Sequence, residues 1–528
     1  MLPGPLARPT WRFHTRPEGA TMTVRWDTII VGAGPVGVFL ANLLGKAGLR
    51  TLVLDRDTAP YALPRAVHID HEMVRLLADV GLAEEMLPLM RAGDGHIHIG
   101  ADHGMIRFMS SRGAPRPYGY ANDYFFNQPE LEQVLRRGLG RFGHVTLRLG
   151  EEVTGVAQDD SQATVTLASG QTLAADYVVG TDGARSTVRK ALGIHLDDLN
   201  FEEPWLVVDA EVDGRITYPD LTGIPESADL QNLSLMMCDP WRPATIVPGR
   251  GNHRRWEFML LPGESETVMA RPDVVADLVR PWVRDVPHRI IRATTYRFHG
   301  LVAENWHVGR VFLAGDAAHQ TPPFFGQGLC HGLRDAAGLA WRLRLLQDGI
   351  AGPGLLDSYQ TERDTQVRHV IGAAVEAGRY ICELDPDKAA ARDARLRAQT
   401  GIRSAAELIA PLRSDIICDN AGERFINPAA GDGRMLDDVT GRGWRLLRAA
   451  PVPAVSPVLD SLGAVTIDLA ALPDREGHLD AWFDSRDAAA ALVRPDFYVA
   501  LIARDADDLD ARLTALGTAM DLRLPGTA

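Results

Sequence analysis

Between residues 29 and 54 a glycine turn joins an apolar strand to a helix, and no other local feature limits the fold so tightly. In "DTIIVGAGPVGVFLANLLGKAGLRTLVLDRD" residues 29–31 and 51–54 are short apolar runs of the parallel-strand kind, and the segment between them has helical length. Gly32 permits the tight turn, Gly34 lets the backbone approach a pyrophosphate, and Gly37 lets the helix pack on the strand. Pro35 belongs to the same turn, and the helix start behind it offers N–H groups and a positive dipole end to an anion. Asp55, followed by Arg56, closes the second strand 23 residues after Gly32 (55 minus 32), where a carboxylate can accept hydrogen bonds from a ribose. The set predicts dinucleotide binding. A second glycine fingerprint is absent, so one firmly held dinucleotide is expected. No closely spaced cysteine pair accompanies the first fingerprint, which argues against a disulfide reductase.

Two later strand ends carry acids. "VVGTDGARSTVRKALG" puts Asp182-Gly183 between an apolar strand and a helix; alone, this reads as a turn with Asp as N-cap and Gly at positive φ. "VFLAGDAAHQTPPFFGQGLCHGLRDAAGLAWRL" ends its strand on Gly315-Asp316. Pro322 and Pro323 then fix φ, Gly326-Gln327-Gly328-Leu329 opens the loop, and a long helix follows. A group with hydroxyls and a delocalised negative charge would suit that geometry.

At 528 residues two or three domains are expected. A formal net charge of -14 argues against a nucleic-acid partner, which demands clustered Lys and Arg. No apolar run approaches the ~20 residues of a membrane span. Cys238, Cys330, Cys382 and Cys418 are too scattered for a disulfide framework or a zinc site, so a reducing, cytoplasmic setting is expected. Residues 1–21 lack periodicity and an apolar signal core; they read as a disordered extension, with Met22 a plausible natural start. Segments 65–90, 129–142 and 354–383 read as helices, 205–297 as a mostly antiparallel sheet, and a fresh α/β pattern begins near residue 425.

Taken together, GAGPVG at 32–37, DG at 182–183 and GD at 315–316 resemble the single-component FAD-dependent aromatic hydroxylases, over residues 24 to about 400. "PRAVHIDHEMVRLLADVGL", "CDPWRPATIVPGRGNHRRWEFMLLPGE" and the 313–343 stretch look like the 3-(3-hydroxyphenyl)propionate / 3-hydroxycinnamate hydroxylase subgroup. The resemblance implies an α/β, Rossmann-like FAD-binding domain (22–204 and 298–424, with a helical C-terminal part). It implies an inserted substrate sheet (205–297) and a thioredoxin-like domain (425–528) without redox cysteines. FAD would be held non-covalently: Asp316 on its ribityl chain, Asp182 by the pyrophosphate, Arg65 beside the flavin, Gln128 in contact with it. The clamp is completed by Gly315, Gly326, Gly328 and Leu329, with the Pro323 carbonyl as a wall near the oxygen-reactive carbon.

The implied reaction reduces FAD with NADH or NADPH, and O2 then forms a C4a-hydroperoxide whose distal oxygen is attacked by a phenolic ring. A basic partner would ionise the phenol. His68 and Asp70, just after Arg65, are the candidates, with a plain helix start as the competing reading. His96 and His98 share a strand face with His103 in the next turn, yet no carboxylate or thiol completes a metal site in sequence; a solvated hairpin and no metal are expected. Expected partners are a small phenolic substrate, O2 and the nicotinamide, and a homodimer is compatible with the chain. Two other readings stand beside this one: a tailoring hydroxylase of aromatic polyketides, and a flavin-holding sensor without turnover. The Trp-x-Trp-x-Ile-Pro stretch of halogenases and the long His/Trp motif of Baeyer-Villiger enzymes are absent.

Overall fold

The computed structural model describes residues 25–399, 408–430, 433–452, 455–472 and 476–524. The proposed extension 1–21 lies outside them. Five parallel strands form the heart of the first sheet, in the order Val311–Leu313, Thr172–Gly180, Trp26–Val31, Thr51–Asp55, Val145–Leu149. The apolar runs of the inner strands are buried on both faces, as a sheet covered on each side requires, while the edge strand Val145–Leu149 is half-buried. Register decides the consequence. Val31 pairs with both Leu54 and Gly180, and Gly180 pairs with Leu313. The glycine turn, Asp55, Asp182 and Gly315-Asp316 therefore all leave the carboxyl edge of neighbouring strands, where open α/β sheets bind ligands.

The helix Pro35–Lys46 lies against the helix Gly328–Gln347. A Cβ at Gly332 would come within 2.5 Å of Val36, so glycine lets the two helices close on each other.

The second sheet is larger than expected. Its long strands Leu196–Val212 and His288–Ala303 overrun 205–297 at both ends. It also takes a hairpin from far upstream, Gly95–Ile99 with Met105–Ser110, through parallel pairing to Ser234–Met237. One face buries Leu206, Val208, Ile246, Trp256 and Phe258 against the helix Pro272–Val283. The opposite face, with Trp205, Met236 and Met259, joins the core of the first domain.

The helix expected over 65–90 is broken. His68–Asp70 is a strand, because it pairs with Asp123–Phe125; the helix His71–Asp79 starts only where Asp70 accepts bonds from the Glu72 and Met73 N–H groups. The C-terminal region has its own core and a four-stranded sheet, ordered Val465–Asp468, Arg445–Arg448, Ala490–Val493, Val499–Ala503, with the first pair parallel and the rest antiparallel. Across its seam with the first domain Arg75 meets Asp437, which Arg445 of the same region also binds, and Arg494 meets Glu362. No helix among the described residues is long and apolar enough to cross a membrane.

Candidate functional site

A cleft of about 720 Å³ opens at the carboxyl edge of the first sheet and is roofed by Tyr296–His299 of the second. Gly32, Gly34, Pro35, Asp55, Arg56, Arg65, Gln128, Asp182, Asp316, Gly328 and Leu329 all line it. The glycines divide by role. Gly32 has φ +106°, and a Cβ there would meet the Thr181 carbonyl oxygen at 2.5 Å. At Gly37 it would meet the Gly32 carbonyl oxygen at 2.0 Å, so helix and turn touch there. At Gly34 no protein atom lies within 4 Å: that side faces open space, as close approach by a ligand requires.

Several lining groups are already committed to one another. Asp55 accepts from the Ala33 N–H at 2.6 Å and so holds the glycine turn. Gln128 accepts from the Ala66 N–H at 2.8 Å, which fixes the backbone next to Arg65. Asp182 stands behind Ser186, the actual N-cap, and takes the Thr187 and Val188 N–H groups at 2.7 and 3.1 Å. Asp316 is exposed and lines the cleft. Protein packed around the carboxyl disfavours its charge and pushes it above the usual range, against the pull of His319 and Arg65.

Other groups are left without partners. Arg136 donates Nη2 to the Ala33 carbonyl at 2.6 Å, while its Nε and Nη1 are buried and unmet. Thr321 Oγ1, in the loop before the long helix, is also buried and unmet among the described residues; Gln327 Nε2 is unmet too, but Gln327 lies outside the cleft lining with its Oε1 accepting from Arg334 at 3.0 Å. A buried donor costs about 1–3 kcal/mol unless something accepts from it, so this lining is built for a polar ligand. Arg136 was not anticipated from sequence. A lone arginine eight residues into a helix carries no signal until the helix is docked on the glycine turn.

The loop itself is pinned from behind. Gly326 sits at φ +62°, and its Cβ would strike the His68 ring at 2.6 Å. Phe324 packs between Phe201, Trp205 and Phe298, with ring centroids 5.8, 5.8 and 6.3 Å away. The Pro323 carbonyl accepts from the Gly326 N–H at 2.8 Å, and Gly315 donates to Asp335 at 2.9 Å. At Gly328 the nearest atom to a Cβ would be Thr321 Cβ at 4.0 Å, so the space there belongs to the cleft.

On the far side of that loop the structure corrects two expectations. Asp70 is bound to Arg334 at 2.6 Å and caps a helix, which leaves it no role toward a substrate. His96 and His98 are not in a solvated hairpin; they face inward, and burial lowers their pKa values to about 4 and about 3. A carboxylate does join them. Asp123, from a remote strand, bonds His68 Nε2 at 2.9 Å, and ligand atoms of His68, His96 and Asp123 lie within 4.8 Å of one another. Burial opposes the His68 imidazolium, but the bond and charge of Asp123 outweigh it and raise the His68 pKa. His68 Nδ1 stands 3.5 Å from the Gly326 carbonyl, too far for a good hydrogen bond.

The chain matches the FAD binding domain family over residues 25–374 and the HcaD C-terminal domain over residues 423–519. It is 33% identical to a probable NADH-specific resorcinol 4-hydroxylase of Rhodococcus jostii (strain RHA1), covering 92% of this chain and 93% of that protein. It is 34% identical to a 3-(3-hydroxy-phenyl)propionate/3-hydroxycinnamic acid hydroxylase of Burkholderia cenocepacia (strain HI2424), covering 90% and 93%. Among solved structures, aklavinone-11 hydroxylase in a ternary complex with FAD and aklavinone superposes with a TM-score of 0.77 at 25% identity, covering 95% of this chain and 100% of that one.

Proposed function

This chain belongs to the FAD-dependent aromatic hydroxylases and is a flavoprotein monooxygenase using a nicotinamide co-substrate; from that premise we propose the roles of its residues and the seat of its phenolic substrate. The residues of the cleft fit FAD. Gly34 offers open backbone and Arg136 two unmet donors for a pyrophosphate, Asp55 and Asp316 offer acceptors for ribose and ribityl hydroxyls, and Thr321 and the helix start at Gly328 face the ring end. Bound there, FAD would take a hydride from the nicotinamide and pass one oxygen atom of O2 to the aromatic ring.

The protein's own part is positioning, exclusion of water and movement of one proton. The substrate ring lies between the Pro323–Phe325 turn and the inward face of the second sheet, with Trp205, Phe298 and Phe324 keeping the turn dry. Its hydroxyl is directed to His68. With Asp123 accepting from Nε2, the lone pair of the imidazole is on Nδ1, on the side of the Gly326 loop. The phenol O–H breaks, its proton goes to Nδ1, and the imidazolium is balanced by Asp123, while the phenolate ring gains nucleophilicity. The single observation that carries this reading is the buried His68–Asp123 pair set against the loop that borders the cleft.

NADH or NADPH consumption should accelerate on adding a phenol, and the product should contain one oxygen atom from 18O2. Flavin oxidation that no phenol accelerates, with no labelled product, would turn the reading toward a flavin-holding protein without turnover.

A further inference from the structure

Three elements far apart in the chain meet behind the Gly326 loop, and each sends one metal-binding atom into the same space. Strand His68–Asp70 pairs antiparallel with Asp123–Phe125, in a register that sets His68 opposite Phe125 and Asp70 opposite Asp123. His68 and Asp123 are therefore diagonal neighbours, close enough for the 2.9 Å bond between Nε2 and Oδ1. The hairpin of Gly95–Ile99 with Met105–Ser110 supplies the third group, His96. Its two flanks are tied to Asp123. The Gly93 N–H donates to the Asp123 carbonyl at 2.9 Å, and the Ser111 hydroxyl donates to Asp123 Oδ2. The His68 and His96 rings then stand 6.0 Å apart, centre to centre, at 67°.

The three residues are not equally committed. His68 and Asp123 answer each other, and Ser111 answers the second oxygen of Asp123. His96 is half-buried and forms no hydrogen bond among the described residues. Burial keeps its ring neutral, so its lone pair is free. An imidazole left open beside a second imidazole and a carboxylate has the chemistry of a metal ligand. Ligand atoms of all three lie within 4.8 Å of one another. Around a tetrahedral ion with bonds of about 2.0–2.1 Å they would stand about 3.3 Å apart, a closure that a turn of the unbonded His96 ring supplies. The outer contacts fit as well. With an ion on Nε2, the hydrogen of the neutral His68 ring sits on Nδ1 and faces the Gly326 carbonyl 3.5 Å away, while Ser111 still orients the carboxylate.

We propose that His68, His96 and Asp123 form a binding site for a divalent ion of the zinc class, and that the ion inhibits the enzyme by occupying its proton-accepting histidine. Two imidazoles and one carboxylate suit zinc better than magnesium or calcium, and three protein ligands leave a fourth position for water. The inhibitory half rests on the hydroxylase reading above. There the phenol proton goes to Nδ1 while Nε2 keeps its hydrogen for Asp123. An ion on Nε2 moves that hydrogen to Nδ1 and leaves no lone pair for the phenol. Ion binding and proton transfer exclude each other.

The test uses the FAD-loaded enzyme, stripped with a chelator and titrated with Co2+ and then Zn2+. Co2+ should bind with the intense visible absorption of a tetrahedral ion, read on the long-wavelength side of the flavin bands, and Zn2+ should erase it. Competition with a chromophoric chelator gives the Zn2+ dissociation constant, which His96→Ala should weaken about tenfold or more. The same variant should raise, by a matching factor, the Zn2+ concentration that halves phenol-stimulated nicotinamide oxidation. Absence of the tetrahedral Co2+ absorption in the wild type, or an unchanged Zn2+ affinity in a folded His96→Ala protein, would overturn the site. If His96→Ala fails to fold, His96→Gln takes its place and is scored in the same way. Zn2+ that binds through His96 yet leaves turnover untouched would refute the inhibition. Should no phenol be oxygenated, the hydroxylase reading falls while the Co2+ spectrum still scores the site.

Discussion

Two charged regions of this molecule are built on opposite rules. Along the seam with the C-terminal domain, buried charges face each other: Asp437 lies between Arg75 and Arg445, and Glu362 between Arg342 and Arg494. Some guanidinium nitrogens of Arg445 remain unmet there, but its charge is answered. In the cleft at the sheet edge, Arg136 stands 3.6 Å from Glu132 yet leaves Nε and Nη1 without acceptors, Thr321 leaves its hydroxyl unmet, and Gly34 and Gly328 keep the space beside them clear. A region that satisfies itself serves stability, and one that leaves donors waiting serves a ligand.

The sharpest way to break this contrast is on the seam. Asp437→Ala leaves Arg75 and Arg445 buried without a counter-charge, which should cost about 3–5 kcal/mol and lower the melting temperature with or without FAD. A calorimetric trace unchanged from wild type would mean the seam is not a stabilising element. Asp316→Ala should act the other way round. FAD affinity should fall by about 1.5–3 kcal/mol, the worth of a charged acceptor, while the apoprotein melts no lower than wild type. Flavin occupancy after gel filtration checks it.

Acid should separate the regions as well. Burial opposes the carboxylates of Asp437 and Glu362, yet the arginines beside each outweigh it and hold both pKa values at about 2. A carboxylate depressed in the folded state contributes stability above its unfolded pKa and loses that contribution as pH falls through its folded value. Stability should therefore drop between about pH 4 and about pH 2, and the slope should flatten in Asp437→Ala, measured by denaturant titration at each pH. The smallest effect is expected at Gly328→Ala. Its Cβ meets no protein atom closer than 4.0 Å, so the fold should survive. The added methyl would crowd the ring end of the cleft and weaken the helix-start contact with a charged, reduced flavin. A loss of 1.4 kcal/mol would lower the potential by ~30 mV, with slower hydroxylation.

What could be read from the chain was local. Gly32, Gly37 and Gly326 are legible because a turn or a close approach dictates glycine at that very residue. The strand-end acids are legible because three motifs recur in one order. The His68–Asp123 pair and the hairpin bearing His96 were not, since they depend on which strands pair. Asp123 lies 55 residues from His68, and nothing between them announces the contact. Asp70 misled for the opposite reason: an acid before a helix looks the same whether it caps that helix or faces a substrate, and only Arg334 reveals the first.

Unmet donors in the cleft exist for FAD, and Arg136→Met is the variant that isolates them. Melting temperatures of the apoprotein and of an FAD titration are compared between wild type and variant. The prediction is an apoprotein as stable as wild type, with the FAD-induced rise diminished and the dissociation constant weakened about tenfold. An apoprotein that melts well below wild type while its affinity for FAD stays the same would place Arg136 with the seam arginines, as a structural charge, and contradict the claim.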